Sequence, residues 1–139
     1  MRYFAFSLKG LALAFGLLLT ACGGPSEYAI VGTARAPSAD GTATVEQIEG
    51  GNSLVTVQME HLPPPDRLGE GLKMYMVWFE DSNQPAVRAG GLGFDEDKRE
   101  GSMMATTPLN KFVVKVTAEK SLNVSTPSEV VVAKRKVSQ

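Results

Sequence analysis

The fold is decided by residues 73–80, which read KMYMVWFE. Apolar side chains occupy both the odd and the even positions from Met74 to Phe79, so both faces of an extended chain are apolar here. A strand with two apolar faces is typical of the centre of a sheet that is covered on both sides. We therefore predict a central, doubly buried β-strand at this position and expect the flanking segments to build the sheet around it.

Seven flanking segments also have the composition of strands. Residues 54–61, for example, alternate apolar Val and Met with polar Thr, Gln and Glu, which is the period of a half-buried strand. The predicted strands are 28–36, 42–49, 54–61, 73–80, 85–94, 102–107, 111–120 and 129–137. Short strands at roughly ten-residue spacing predict one all-β domain over residues 28–137, an immunoglobulin-like antiparallel β-sandwich of seven or eight strands.

The first 21 residues have the pattern of a signal peptide. Arg2 and Lys9 are basic, and an apolar run over residues 11–19 follows them. That run is about 14 Å long as a helix, whereas a bilayer core is about 30 Å thick. It is therefore too short for a stable transmembrane helix and is typical of a cleaved signal segment.

The end of this segment reads Leu19-Thr20-Ala21-Cys22, and it resembles the bacterial lipobox. The resemblance implies that a signal peptidase recognises Leu19, Thr20 and Ala21, cleaves before Cys22, and leaves that thiol carrying lipid with palmitate-type acyl chains. Residues 22–27 then form a flexible tether. A bacterial envelope location follows, and Gly23 in place of Asp favours the outer membrane in a Gram-negative organism. The alternative is an ordinary secretory signal with an incidental cysteine.

Charge and composition exclude several classes of function. The net charge is −1, and it becomes −3 once Arg2 and Lys9 are left out, so the chain lacks the basic excess of a nucleic-acid binder. One His and one Cys are too few for a structural Cys/His zinc site. With no Gly-x-Ser-x-Gly motif and a single imidazole, we expect a non-enzymatic protein without a cofactor.

A series of short motifs runs through the second half of the chain. They are Tyr75-Met76-Val77-Trp78-Phe79, Gln84-Pro85, Gly90-Gly91, Val116-Thr117-Ala118-Glu119, Pro127 and Val130-Val131-Val132, with Leu62-Pro63-Pro64 before them. In this order they resemble the C-terminal extracytoplasmic domain of anti-sigma-K factors, over residues 50–132. The resemblance implies an envelope-side β domain without catalytic residues. That family's sigma-binding domain and membrane helix have no counterpart here, so the resemblance does not extend to binding a sigma factor.

Few other residues suggest chemistry. His61 with Met74 and Met76 offers imidazole and thioether ligands for a soft metal such as Cu(I), although methionines at strand positions are more often core residues. The acidic run 95–100 is a calcium-loop candidate, but its central Lys98 and Arg99 favour a solvated hairpin tip.

Two further groups of residues have alternative interpretations. Lys134-Arg135-Lys136 could contact anionic lipid headgroups or cell wall, or could protect an edge strand against pairing. Tyr75 with Trp78 is expected to be buried, with a carbohydrate-stacking platform as the alternative.

The function predicted from the sequence is a lipid-anchored binding, sensing or structural β-module of the bacterial envelope. Its partners would be the membrane, through lipid on Cys22, and an unidentified envelope protein or cell-wall component. The alternative is an envelope lipoprotein that binds a metal or small ligand through His61 and the methionines, and an envelope hydrolase comes third.

Overall fold

The computed structural model describes residues 23–139, and these residues form eight β-strands. The strands are β1 (Ser26–Gly32), β2 (Asp40–Gln47), β3 (Ser53–Glu60), β4 (Met74–Glu80), β5 (Val87–Asp95), β6 (Glu100–Thr107), β7 (Lys111–Glu119) and β8 (Val131–Ser138). Single 3₁₀ turns occupy Glu49–Gly51 and Pro65–Arg67. The prediction of an all-β domain with seven or eight antiparallel strands is confirmed for the described residues, which have eight.

The strands close into a barrel in the order β1-β2-β3-β6-β5-β4-β7-β8. Two of the eight strand pairings are short. β1 pairs with β8 only at Val31 and Gly32, and β5 pairs with β6 only over residues 93–95. The barrel is therefore two four-stranded faces, hydrogen-bonded to each other along two partial seams.

This closure differs from the immunoglobulin-like sandwich expected from the sequence. Alternation along a strand reports which side chains face inward, but it does not report which strands are neighbours. The pairing of β1 with β8 joins segments far apart in the chain, and the short pairing of β5 with β6 closes the other side. Those two pairings are what turn two sheets into a barrel.

The barrel has two ends, and each is formed by a different set of loops. The N-terminal end holds the start of β1, the turns 48–52, 81–86 and 108–110, and the chain's last residue. The other end, called the His61 end, holds the loops 33–39, 61–73, 96–99 and 120–130. Strands of seven to nine residues separate the two ends by about 25 Å.

The interior is filled from all eight strands. Tyr75 contacts Phe94 edge to face at 5.2 Å between ring centroids, and Phe79 contacts Phe112 at 5.1 Å. Fully buried Leu62 closes the interior at the His61 end. Each large side chain removed from water in this way contributes about 2 kcal/mol.

β4 is buried on both faces, as predicted. Tyr75, Val77 and Phe79 belong to the interior core, whereas Met76 and Trp78 are buried but are not part of it. The segment 120–130 lies over the outer side of the sheet near these two residues. The burial of Tyr75 and Trp78 follows the packing expectation and leaves no exposed platform for a sugar ring.

A network of four hydrogen bonds lies on the outer face, and two of them, both from Ser128, fix that segment to the sheet. Trp78 Nε1 donates to Thr117 Oγ1 (2.8 Å), and Thr117 Oγ1 donates to Glu119 Oε1 (2.6 Å). The Ser128 backbone N–H donates to the same carboxylate oxygen, and its Oγ donates to the Ala118 carbonyl, both at 2.8 Å. Thr117 and Glu119 are buried, so this network satisfies polar groups that would otherwise be costly to remove from water.

Among residues 23–139, no helix has the length and hydropathy needed to cross a bilayer. The predicted signal peptide, the lipobox and lipidation of Cys22 lie outside the described residues and stay predictions. The tether predicted over residues 22–27 ends slightly earlier than expected, because β1 begins at Ser26.

Candidate functional site

The most distinctive cluster of side chains lies where β2 begins and β3 ends. Asp40 and Glu60 are register partners across these strands, and His61 follows Glu60 directly. One carboxylate oxygen from each acid and one imidazole nitrogen lie within 4.8 Å of one another. The closest approach is 2.6 Å, between His61 Nδ1 and Asp40 Oδ1, and both side chains are more than half exposed.

The backbone around His61 is held by contacts with two other loops. His61 has a left-handed φ of 54°, and its carbonyl accepts hydrogen bonds from Ser38 Oγ at 3.3 Å and Arg99 Nη2 at 3.4 Å. Arg99 is the other described non-glycine residue with positive φ. Its Nε donates to the Leu62 carbonyl at 2.9 Å, and its own carbonyl accepts from the Leu62 N–H at 3.0 Å. The two left-handed residues therefore clamp the loop 61–73 to the β5–β6 turn.

The charges in this cluster influence the protonation of the imidazole. The hydrogen bond to Asp40, followed by the charge of that carboxylate, raises the pKa of His61 above its ordinary value of 6.5. Desolvation and the Arg99 guanidinium oppose the rise, and Glu60 adds to it. Two acids directly opposite each other on neighbouring strands repel, and a protonated His61 offsets this repulsion.

The two methionines proposed as partners of His61 both lie on β4. Met76 is 1 % exposed, and Met74 is half-buried at the start of the strand, where its register partner is Glu119 on β7. His61 has carboxylates as neighbours instead, and these are harder ligands than thioethers. The donor set that the structure assembles is one imidazole and two carboxylates, which suits Zn²⁺ or a similar divalent ion better than Cu(I).

The acidic run 95–100 forms the turn between β5 and β6, in agreement with the predicted hairpin tip. Asp95 Oδ1 accepts the backbone N–H groups of Asp97 and Lys98, each at 3.1 Å, and thereby closes the turn. A shallow cavity of about 320 Å³ lies between this hairpin and the end of β3, beside Glu60. The Asp95 carboxylate thus has a structural role in the turn.

Lys134, Arg135 and Lys136 lie together on β8, and all three are exposed. β8 is hydrogen-bonded to β1 at residues 133 and 134 only, so the rest of that edge of β8 is not paired with β1. β8 alone is compatible with both interpretations, lipid contact and edge protection. The cations on the neighbouring strand β7 distinguish them.

Sequence reasoning singled out His61 but missed its partners. Asp40 lies 21 residues earlier in the chain and Arg99 lies 38 residues later, and only strand pairing and loop packing bring them together. The one available signal was that Asp40 follows a turn and His61 ends a strand, which places both at strand ends. Nothing in the sequence indicated that these two strands are neighbours and that Asp40 and His61 lie at the same end of them.

Comparisons with family models, with curated proteins and with solved structures found no match to this chain.

Proposed function

We propose that this protein is a lipid-anchored, non-enzymatic binding module of the bacterial envelope, held to a membrane through Cys22. The observation that carries the proposal is the Leu19-Thr20-Ala21-Cys22 sequence, placed three residues before a rigid domain begins at Ser26. A spacer of three residues spans at most about 10 Å. The anchor therefore keeps the N-terminal end of the barrel close to the bilayer.

The position of the tether determines what the module can present. β1 starts at the N-terminal end, and the loops with His61 and Arg99 lie at the opposite end, about 25 Å away. These loops contain the exposed His61 cluster and the charged hairpin 95–100. We infer that they provide the surface for an envelope protein or cell-wall partner.

The resemblance to the extracytoplasmic domain of anti-sigma-K factors is part of this proposal. Its two most characteristic motifs lie on the adjacent strands β4 and β7, and they are joined through hydrogen bonds from Trp78 to Thr117 and from Thr117 to Glu119. This connection gives the motif residues of β4 and β7 a common structural role in this protein. The sigma-binding activity of that family is not included in the proposal.

We further propose that the barrel is a flattened immunoglobulin-like fold. The face β5-β4-β7-β8 corresponds in order to immunoglobulin strands C′-C-F-G, and β2-β3-β6 corresponds to A-B-E. β1 is then an additional N-terminal strand that closes one side against β8.

The anchor is tested by growing cells with an alkyne-bearing fatty acid and measuring its incorporation into the protein. Wild type and G23A, a neighbouring change that keeps the thiol, are expected to incorporate the label. Because Cys22 is the chain's only cysteine, C22A is expected to lose the label and to accumulate as the larger precursor. Equal labelling of C22A, or no labelling of wild type, would overturn the proposal.

A second candidate function is the binding of a divalent cation at His61. One observation favours it, namely that ligand atoms of Asp40, Glu60 and His61 lie within 4.8 Å of one another. Titration with Zn²⁺ should shift the ring resonances of the single histidine at equimolar metal, and D40N should weaken the response. Ring resonances that do not change on addition of Zn²⁺ would contradict metal binding.

A further inference from the structure

Five cations are concentrated on two strands of a chain that is otherwise acidic. They are Lys111 and Lys115 on β7, and Lys134, Arg135 and Lys136 on β8. The four lysines project from the same, outer side of the sheet, whereas Arg135, the register partner of interior Val114, is exposed at the edge beside them. The four lysines and Arg135 are together called the basic face. Lys115 pairs with Glu80. Within residues 23–139, the other four form no ion pair. The basic face therefore carries charge that the protein itself does not neutralise.

The strand register places these charges at a cost to the fold. Lys134 lies directly opposite Lys115, and like charges in that position destabilise a sheet. Lys136 lies opposite Val113, and four of the five cations line a shallow depression of about 770 Å³ together with Tyr28 and the acidic Glu80. Glu80 offsets the charge of Lys115 only, and the remaining excess of cations in one depression favours the binding of an anion.

Protection of an edge strand does not account for the basic face. Lys111 and Lys115 lie on β7, which is hydrogen-bonded to β4 on one side and β8 on the other, so that strand has no free edge. Lys134 is itself paired with Val31. Edge protection therefore applies at most to Arg135 and Lys136, and it leaves the other three cations unexplained.

Apolar side chains stand among the cations. Val31 is 64 % exposed and is the register partner of Lys134, and Val113 lies between Lys111 and Lys115 on the same side of β7. Lysines that flank exposed aliphatic side chains suit a membrane interface, where the apolar group enters the headgroup region and the ammonium groups contact phosphate.

The basic face lies on the same side of the barrel as the tether. β8 is the neighbour of β1, and Tyr28 Oη donates to the Ser138 carbonyl at 2.6 Å. Continuing the register of Val31 with Lys134 places Lys136 level with Ala29, which is about 10 Å along β1 from Ser26. The spacer before β1 has a similar reach, so a barrel tethered at Cys22 can rest on this side.

We propose that the basic face binds anionic phospholipid headgroups of the membrane that holds the Cys22 lipid, so that β1, β8 and β7 lie against the bilayer. This inference rests on the proposed lipid anchor. Acyl chains alone hold the protein at the surface but leave its orientation free, whereas a basic face adds an electrostatic contact that fixes one side down. The loops with His61 and Arg99 then project along the membrane surface.

The test uses the protein purified from bacterial membranes and reconstituted into vesicles. Val31→Cys carries a polarity-sensitive fluorophore, and the vesicles contain phosphatidylcholine alone or with about one third phosphatidylglycerol. Only in vesicles with phosphatidylglycerol do we expect the emission to shift to the blue and to be quenched by lipid-borne quenchers. Salt at about 0.5 M should reverse both changes, because it screens the attraction between the cations and the headgroups. K134A/K136A should lower the ratio of lipid-contacting to solvent-exposed probe about 25-fold, since each lysine near an anionic surface contributes about fivefold.

The matched control is K98A/K120A, which removes two exposed lysines at the His61 end and should leave the emission unchanged. Equal emission in the two kinds of vesicle, or an equal effect of the two double variants, would overturn the proposal. A response to soluble polyphosphate without a response to phosphatidylglycerol would also overturn it, because the face would then bind a free polyanion. Flotation with neutral vesicles reports the Cys22 anchor separately, so the two proposals can fail independently.

Discussion

Replacing Thr117 by Val removes the central link of the buried network on the outer face of β4 and β7. The hydroxyl of Thr117, which is fully buried, accepts from Trp78 Nε1 and donates to Glu119 Oε1. Valine has nearly the same shape, so the change deletes both hydrogen bonds and leaves the packing almost intact. We therefore expect the effect to measure the network and not a cavity.

The magnitude follows from the groups left behind. A buried indole N–H without an acceptor costs about 1–3 kcal/mol, and a lost hydrogen bond to a charged group costs about 1.5–3 kcal/mol. Burial of a methyl group in place of the hydroxyl returns up to about 1 kcal/mol. T117V should therefore lower the free energy of unfolding by about 3 kcal/mol, which corresponds to a fall in Tm of about 15 °C for a domain of this size.

Urea denaturation measures this loss, because Trp78 is the chain's only tryptophan and its fluorescence reports unfolding of the outer face directly. T117S is the matched control: it keeps both hydrogen bonds, loses one methyl group and should cost about 1 kcal/mol. In a W78F background, which has no tryptophan and is therefore followed by circular dichroism, T117V should cost less than in wild type, because the indole N–H is already absent. Equal stability of T117V and T117S would show that the two hydrogen bonds of Thr117 do not stabilise the fold.

The remaining predictions concern single groups. His61 is the only histidine, so its NMR titration should give one pKa above 6.5, and D40N should lower that pKa towards 6.5. The contact with Asp40 stabilises the folded protein fully below pH 6.5, and this stabilisation is lost as the pH rises through the raised pKa. A normal pKa of His61 in wild type would contradict the Asp40 contact. G32A should lower the free energy of unfolding by about 3 kcal/mol in thermal unfolding, because a β-carbon at this position overlaps two carbonyl oxygens of the loop 33–39. G24A is the control and should have no effect, because a β-carbon at Gly24 meets no other atom. Burial raises the pKa of Tyr75 despite the opposing effect of a nearby arginine, so alkaline titration at 295 nm should show one tyrosine that ionises only as the barrel unfolds, and Y75F should abolish that step. Ionisation of Tyr75 at an ordinary pH in the folded protein would show that its side chain is exposed.

Strand positions could be predicted from the sequence because each depends on local pattern. The doubly apolar run from Met74 to Phe79 forms β4, an inner strand of its face, and seven of the eight predicted strands begin and end within two residues of the observed ones. β1 is the exception: it was predicted to continue to residue 36 but ends at Gly32. The loop carbonyls pack so closely against Gly32 that the chain turns away there, and this constraint depends on tertiary packing.

Pairing and clustering could not be predicted, because they depend on contacts between distant segments. Closure through Val31 and Lys134 joins strands separated by about 100 residues, and no residue pattern specifies that contact. The same is true of the His61 cluster, whose carboxylate partner lies across a strand pair. Lys134 and its neighbours were visible as a charge run, but the additional cations of β7 appear beside them only in the folded sheet.

We propose that Cys22 is the first residue of the mature protein and carries its membrane anchor. Mass spectrometry of the N-terminal peptide of protein purified from bacterial membranes measures both properties at once. We expect a peptide that begins at Cys22 and has the added mass of a diacylglyceryl thioether, with no peptide from residues 1–21. A free thiol at Cys22, or a mature terminus at another residue, would contradict it.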